Sequence, residues 1–119
     1  MQILLILNDP PYGTERCYNG LRLALALIKS KSKPETMITV FLMADAVAAA
    51  RAGQKTPDGY YNVERMLKGV VVGKGQVLLC GTCMEARGLA DTEMVLGAQR
   101  SSMAELAAAT LAADKVLVF

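Results

Sequence analysis

An α/β fold built on a mostly parallel sheet is predicted from three observations. Short continuous apolar runs alternate with stretches of helical periodicity, each run ends at turn or capping residues, and no repeat, low-complexity tract or linker interrupts the 119 residues. Strands that alternate with helices need crossover connections, which lay the strands side by side in parallel and put helices over both faces. A chain of this length is expected to form one domain, 1–119, and to bury roughly two thirds of the surface it exposes when unfolded.

Gln2 to Leu7 (QILLIL) is apolar throughout and stops at Asn8-Asp9-Pro10-Pro11, as a strand buried on both faces would. Between Glu15 and Ser30 the residues Cys17, Leu21, Ala24, Leu25 and Ile28 share one helical stripe. Lys29, Lys31 and Lys33 crowd the end of that helix, where cations suit the macrodipole. Thr36 to Met43 is the second strand. Asp45 opens an Ala-rich helix that Gly53 closes. Gln54 to Gly59 carries a Pro-Asp-Gly turn signal, and Asn62 to about Gly69 is a short helix.

Gln76 to Cys80 is the third strand. Thr82, followed three residues later by Glu85, has the form of a capping box and starts a helix to Arg87. Ser102 and Glu105 repeat that form before Met103 to Ala113. Lys115 to Phe119 is the last strand, and Val95 to Gln99 is read as a further short one.

Composition narrows the function. Lys plus Arg number 13 and Asp plus Glu 11, a balance of +2 that is too small and too scattered for a phosphate-backbone footprint, so nucleic acid is not expected as a partner. No segment approaches the ~20 apolar residues of a membrane span, and the start lacks the charged and apolar regions of a signal peptide; a cytoplasmic protein with no membrane partner is expected. Hydrophobic residues make up 53% of the chain, enough for some apolar surface to enter subunit contacts. A contact patch is expected over Met66, Leu67 and Val70 to Val72, joined by Met84 and Met94; the alternative is that these residues belong to the core. Histidine is absent, which excludes Cys-His dyads, Ser-His-Asp triads and His-based metal sites together.

The chemistry concentrates in Val77 to Gly88, VLLCGTCMEARG. Cys80 stands at a strand end and Cys83 in the first turn of the helix that follows. Amides and dipole at a helix start favour a thiolate, and Arg87, one turn beyond Cys83, could lie over the same face and steady an anionic sulfur. Ligands of open α/β sheets bind beyond the carboxyl ends of the strands. Asn8, Tyr12 and Asp45 fall at that rim and join Gly81 and Thr82 as candidate substrate-binding residues, although Asn8 and Asp45 equally suit capping and turn roles. Cys17 lies on the apolar stripe of the first helix and reads as core.

Four readings of the pair compete. Zinc commonly takes two cysteine pairs, and here there is one, so no metal site is expected. A thioredoxin-type motif follows the first strand of its unit and relies on a later cis-proline, whereas this pair follows the third strand and no proline comes after Pro57. A reversible Cys80–Cys83 disulfide, two buried thiols and a sulfur-carrying site stay open.

The stretches NDPPYGTERCYNGLRLALAL, VFLMADAV, GQKTPDGYYNVERML, LLCGTCMEARG and AELAAATLAADKVLVF, in that order over nearly the whole chain, resemble the DsrE/DsrF-like family, with the greatest similarity to its YchN-like branch. The resemblance implies a three-layer α/β/α sandwich with a mainly parallel sheet of about five strands, and ring-like assemblies, commonly homo-trimers or homo-hexamers. In sulfur-relay members a cysteine after the third strand accepts persulfide sulfur and passes it on; Cys80, eight residues before Gly88, matches it. Cys83 departs from that pattern and is read as a resolving thiol. The expected function is a small sulfur-relay protein with catalytic residues Cys80, Cys83 and Arg87, no cofactor, and donor and acceptor proteins as partners. The rivals are a small-molecule or nucleotide-binding oligomeric module and a thiol–disulfide redox protein.

Overall fold

The computed structural model describes residues 1–30, 36–57 and 60–119. Lys31, Lys33 and part of the expected Pro-Asp-Gly turn lie outside the described residues.

Five strands form one parallel sheet: β1 (Gln2–Leu7), β2 (Met37–Leu42), β3 (Gln76–Cys80), β4 (Ala98–Ser101) and β5 (Lys115–Val118). Their order is β4-β3-β2-β1-β5. Four α-helices connect them: α1 (Arg16–Lys29), α2 (Val63–Val72), α3 (Gly81–Ala86) and α4 (Met103–Ala112). The chain is thus an α/β sandwich with helices on both sides of a five-stranded parallel sheet, as the sequence predicts.

The placement of the helices follows from handedness. From β1 to β3 the chain steps one way across the sheet, and right-handed crossovers then put α1 and α2 together on one face, where they pack against each other. From β4 the chain returns past three strands to reach β5, so the same handedness carries α4 over the opposite face. The register sorts the side chains accordingly. Ile3, Leu5, Leu7, Ile38, Val40, Leu42, Val77 and Leu79 share the first face and are all buried. The second face buries Leu4, Phe41, Leu78 and Cys80 but leaves Gln2, Met37 and Gln76 exposed. There a cleft of about 580 Å³ opens between Leu4, Met37, Thr39 and Gln76 and the alanines 108, 109 and 112 of α4 with Ala113 just beyond it.

Local corrections to the sequence reading are instructive. The Ala-rich segment after β2 is a 3₁₀ helix, Ala44–Ala50, with Ala46, Val47, Ala49 and Ala50 buried. The fourth strand is Ala98–Ser101, shifted from the expected Val95–Gln99, because Val95 is held by the Ala50 carbonyl at 2.8 Å and packs into the core instead. The expected contact patch is largely core as well: Leu67, Val70, Met84 and Met94 are buried. Of that patch Val72 is exposed, and further exposed apolar side chains lie at Leu96, Met103, Leu111, Val116 and Val118.

Asn62 caps α2 through its side chain, which accepts from the Arg65 amide at 3.1 Å. Beside it Glu64 is buried yet charged. Burial opposes that charge, but the Gln54 and Gly53 amides and the Lys68 ammonium at 3.1 Å outweigh it and lower the Glu64 pKa.

Cys17 is fully buried on α1. Burial, with the Asp9 carboxylate adding to it, pushes its thiol from 9.0 up to about 12. A thiol raised in the folded state lends stability below its unfolded pKa, and that stability is lost as pH climbs from 9.0 through about 12. Urea unfolding should therefore show a loss of stability across this window that is smaller in Cys17→Ala. At neutral pH, alkylation of Cys17 should require denaturant; modification of the native protein would contradict its burial.

Candidate functional site

The site grows from the carboxyl end of β3. Cys80 is its last residue, 7% exposed, and Gly81 begins α3 without any intervening turn. The cap of α3 is the sulfur itself: Cys80 Sγ accepts the Cys83 amide at 3.3 Å. Thr82, expected to cap this helix, lies inside its first turn, because the chain enters helical geometry two residues earlier than the capping-box pattern implied. Its hydroxyl stands 3.3 Å from Cys80 Sγ. Cys80 and Cys83 are joined as a disulfide with their Cα atoms 5.2 Å apart.

A second backbone donor serves the other sulfur. The Ala44 amide, at the end of β2, points at Cys83 Sγ from 3.3 Å. To do so Ala44 takes a left-handed conformation, φ 51°, which is unfavourable for a residue with a Cβ. Asp45 follows directly, and its carboxylate accepts from Arg87 Nε at 2.8 Å. The Arg87 guanidinium also reaches the Cys83 carbonyl at 3.0 Å. Arg87 and Asp45 therefore form an ion pair that straps α3 to the 3₁₀ segment, close to the disulfide, with the guanidinium on the Cys83 main chain.

Gly81 sits at a close approach between α3 and β4. A Cβ there would lie 2.7 Å from an Arg100 guanidinium nitrogen and 3.2 Å from the Ser101 carbonyl. Arg100 in turn bridges Glu85 at 3.1 Å and Asp91 at 3.0 Å, tying β4 to α3; both carboxylates, Asp91 foremost, raise its pKa further. Ala44, Arg100 and Ser101 escaped the sequence reading. An alanine carries no signal for positive φ, and the misplaced fourth strand left Arg100 and Ser101 outside any element.

The remaining rim residues stand apart from the sulfurs. Asn8 follows β1, two strands from β3, a separation of about 10 Å at the usual strand spacing. It bolts the junction of β1 and β5, where strand order reverses, by donating its amide at 2.9 Å and its side chain at 3.3 Å to the Phe119 carbonyl. Tyr12 donates its hydroxyl to Gln54 Oε1, and burial raises its pKa. With Pro11, Gly13, Thr14, Glu15 and Tyr61 it lines a shallow cleft of about 380 Å³. Among the described residues no group of three or more Cys, Asp or Glu side chains is arranged to hold a metal ion. None of the described helices is long and apolar enough to cross a membrane.

Comparison with known proteins places this geometry. The family model described as DsrE/DsrF-like matches residues 1–119. The chain belongs to the DsrE/DsrF-like family. Protein YchN of Escherichia coli (strain K12) is 41% identical over 118 residues, spanning 99% of this chain and 98% of that protein. An uncharacterized protein of Methanocaldococcus jannaschii, MJ0989, is 31% identical over the full length of both. The crystal structure of the E. coli ychN protein superposes with a TM-score of 0.93 at 40% identity, covering 100% of this chain and 99% of that one. A protein of unknown function from Methanobacterium thermoautotrophicum, MTH1491, has a TM-score of 0.70 at 10% identity over 96% of each chain, which shows the shared fold alone. The expected family and its YchN-like branch are thereby established, and with them a superfamily of sulfur-relay type.

The strained Ala44 gives a direct test of the local architecture. Ala44→Gly should stabilise the protein by about 0.5–1 kcal/mol in urea unfolding, the relief of left-handed strain less the added chain entropy of glycine. A loss of stability would show that Ala44 is not held in this conformation.

Proposed function

We propose that the protein is a sulfur carrier of relay type in which Cys80 holds persulfide sulfur and Cys83 resolves it. The observation that carries this reading is the Cys83 amide directed at Cys80 Sγ, in a chain whose whole length belongs to the DsrE/DsrF-like family. A backbone N–H aimed at sulfur favours its anionic form, and the thiolate is the nucleophile.

The steps balance as thiol exchange. The Cys80 thiolate attacks the terminal sulfur of a donor protein's persulfide; the donor leaves as a thiolate and Cys80 becomes a persulfide. That terminal sulfur then passes to an acceptor nucleophile. Where no acceptor is present, the Cys83 thiolate attacks the Cys80 sulfur, hydrosulfide departs, and the Cys80–Cys83 disulfide remains; its two electrons have reduced sulfane sulfur to sulfide. An external dithiol reopens it by exchange. Arg87 and Asp45 hold α3, and hence Cys83, at its distance from Cys80.

Intact-mass measurement after incubation of the reduced protein with a protein persulfide should show one added sulfur on Cys80 in Cys83→Ser and none in Cys80→Ser. The wild type should accumulate disulfide and release sulfide. Equal sulfur loading of Cys80→Ser would remove Cys80 from this role. If disulfide cycles with dithiols while no variant takes up sulfur, the pair is a redox couple instead, the reading its present disulfide favours.

The carrier is further proposed to work as a homo-trimer or homo-hexamer. Supporting this is the half-covered sheet face with Met103, Leu111, Val116 and Val118 exposed around it. Sedimentation at micromolar concentration should give the oligomer, and Leu111→Glu with Val118→Glu should dissociate it; a monomeric wild type would refute the assembly.

A further inference from the structure

The residue opposite Cys80 carries a hydroxyl with nothing to bond. Ser101, at the end of β4, is only 6% exposed, and its Oγ has no hydrogen-bond partner among the described residues. Buried polar groups are overwhelmingly paired, so such an orphan asks for a cause. The register supplies one. Cys80 and Ser101 are direct partners across the parallel ladder, so their side chains leave the same face of the sheet from strands about 4.8 Å apart. A hydroxyl placed there reaches the neighbouring sulfur by rotation about one bond.

We infer that the Ser101 hydroxyl is the redox-linked donor to Cys80 sulfur, unpaired while the disulfide is closed and bonded to the thiolate or persulfide anion once it opens. A disulfide sulfur is a neutral, weak acceptor, already approached by the Cys83 amide and the Thr82 hydroxyl. Reduction leaves a charge on Cys80 in a site with little water, and a charged acceptor draws a far stronger hydrogen bond than a neutral one. The ionic groups nearby do not supply that donor. Arg100 on β4 is engaged by Glu85 and Asp91, Arg87 on α3 by Asp45, and α4 brings only Glu105 in its first turn. Short-range donors are what the thiolate has: one amide and the two hydroxyls of Thr82 and Ser101.

The inference builds on the proposed role of Cys80 as a working thiol, but its readout is the titration of that thiol, which does not depend on sulfur transfer. In a Cys83→Ser background, with Cys17 titrating far higher, the ultraviolet absorbance of the Cys80 thiolate is followed against pH. Ser101→Ala should raise the Cys80 pKa by about one unit and slow its alkylation about tenfold below that pKa, while Ser101→Thr stays near wild type. With Cys83 present, Ser101→Ala should hold or raise the melting temperature of the oxidised protein, since it removes an unpaired buried hydroxyl, and make its disulfide harder to reduce. An unchanged Cys80 titration overturns the inference. So does failure of oxidised Ser101→Ala to fold, since the hydroxyl would then be bonded in the closed state. Sulfur loading of Cys80 failing alongside a shifted titration would sink the carrier reading and leave Ser101 in its role.

Discussion

The contact on which the site depends is the Cys83 amide donated to Cys80 Sγ. Helix N-termini leave their first amides without partners, and an oxygen-bearing side chain ordinarily satisfies one of them. Here a sulfur does so, and the same sulfur ends a central strand. Strand end, helix cap and proposed nucleophile therefore coincide in one residue. The consequence is mechanical as well as electronic: α3 cannot shift along its axis without losing its cap, and Cys80 cannot change charge without changing how firmly α3 is anchored. Arg87, Asp45 and the Ala44 amide hold the other side of the short helix against the segment after β2.

The wider architecture serves that contact through the handedness of the crossovers. Helices α1 and α2, with the short α3 beyond them, cover one face of the sheet, and α4 alone crosses the other. Cys80 points toward the thinly covered side, and its neighbour there is Ser101 rather than a core aliphatic. The alternative location for chemistry, the place where strand order reverses between β1 and β5, is closed by Asn8 and the Phe119 carbonyl. The cysteine pair thus lies toward the β3–β4 edge of the sheet.

Most of the fold was legible in the sequence because its signals are strong and local. Apolar runs marked β1, β2 and β3, and Ser102 with Glu105 marked the start of α4. What failed did so for identifiable reasons. Val95 looks like a strand residue because it is β-branched, but its pairing with Ala50 made it core; β4 itself, Ala98-Gln99-Arg100-Ser101, has no apolar alternation to announce it. Ala44 to Ala50 has the composition of an α-helix, yet it winds as a 3₁₀ helix with four residues buried, a difference that composition does not encode. The sulfur cap was hidden because Thr82 offered a better-known one. Family resemblance singled out Cys80, but the Ala44 amide on Cys83 Sγ and the place of Ser101 beside Cys80 depend on backbone conformation and register that no residue type declares.

Gly81 carries a consequence for how such a chain can vary. A Cβ at that position would lie against the Arg100 guanidinium and the Ser101 carbonyl, so residues 81 and 100 share one small volume although nineteen positions separate them. A side chain at 81 displaces the Arg100 guanidinium, which loosens the hold of that cation on Glu85 and Asp91. The spacer between the two cysteines is therefore not free to drift by itself: a change in it is felt at once in β4.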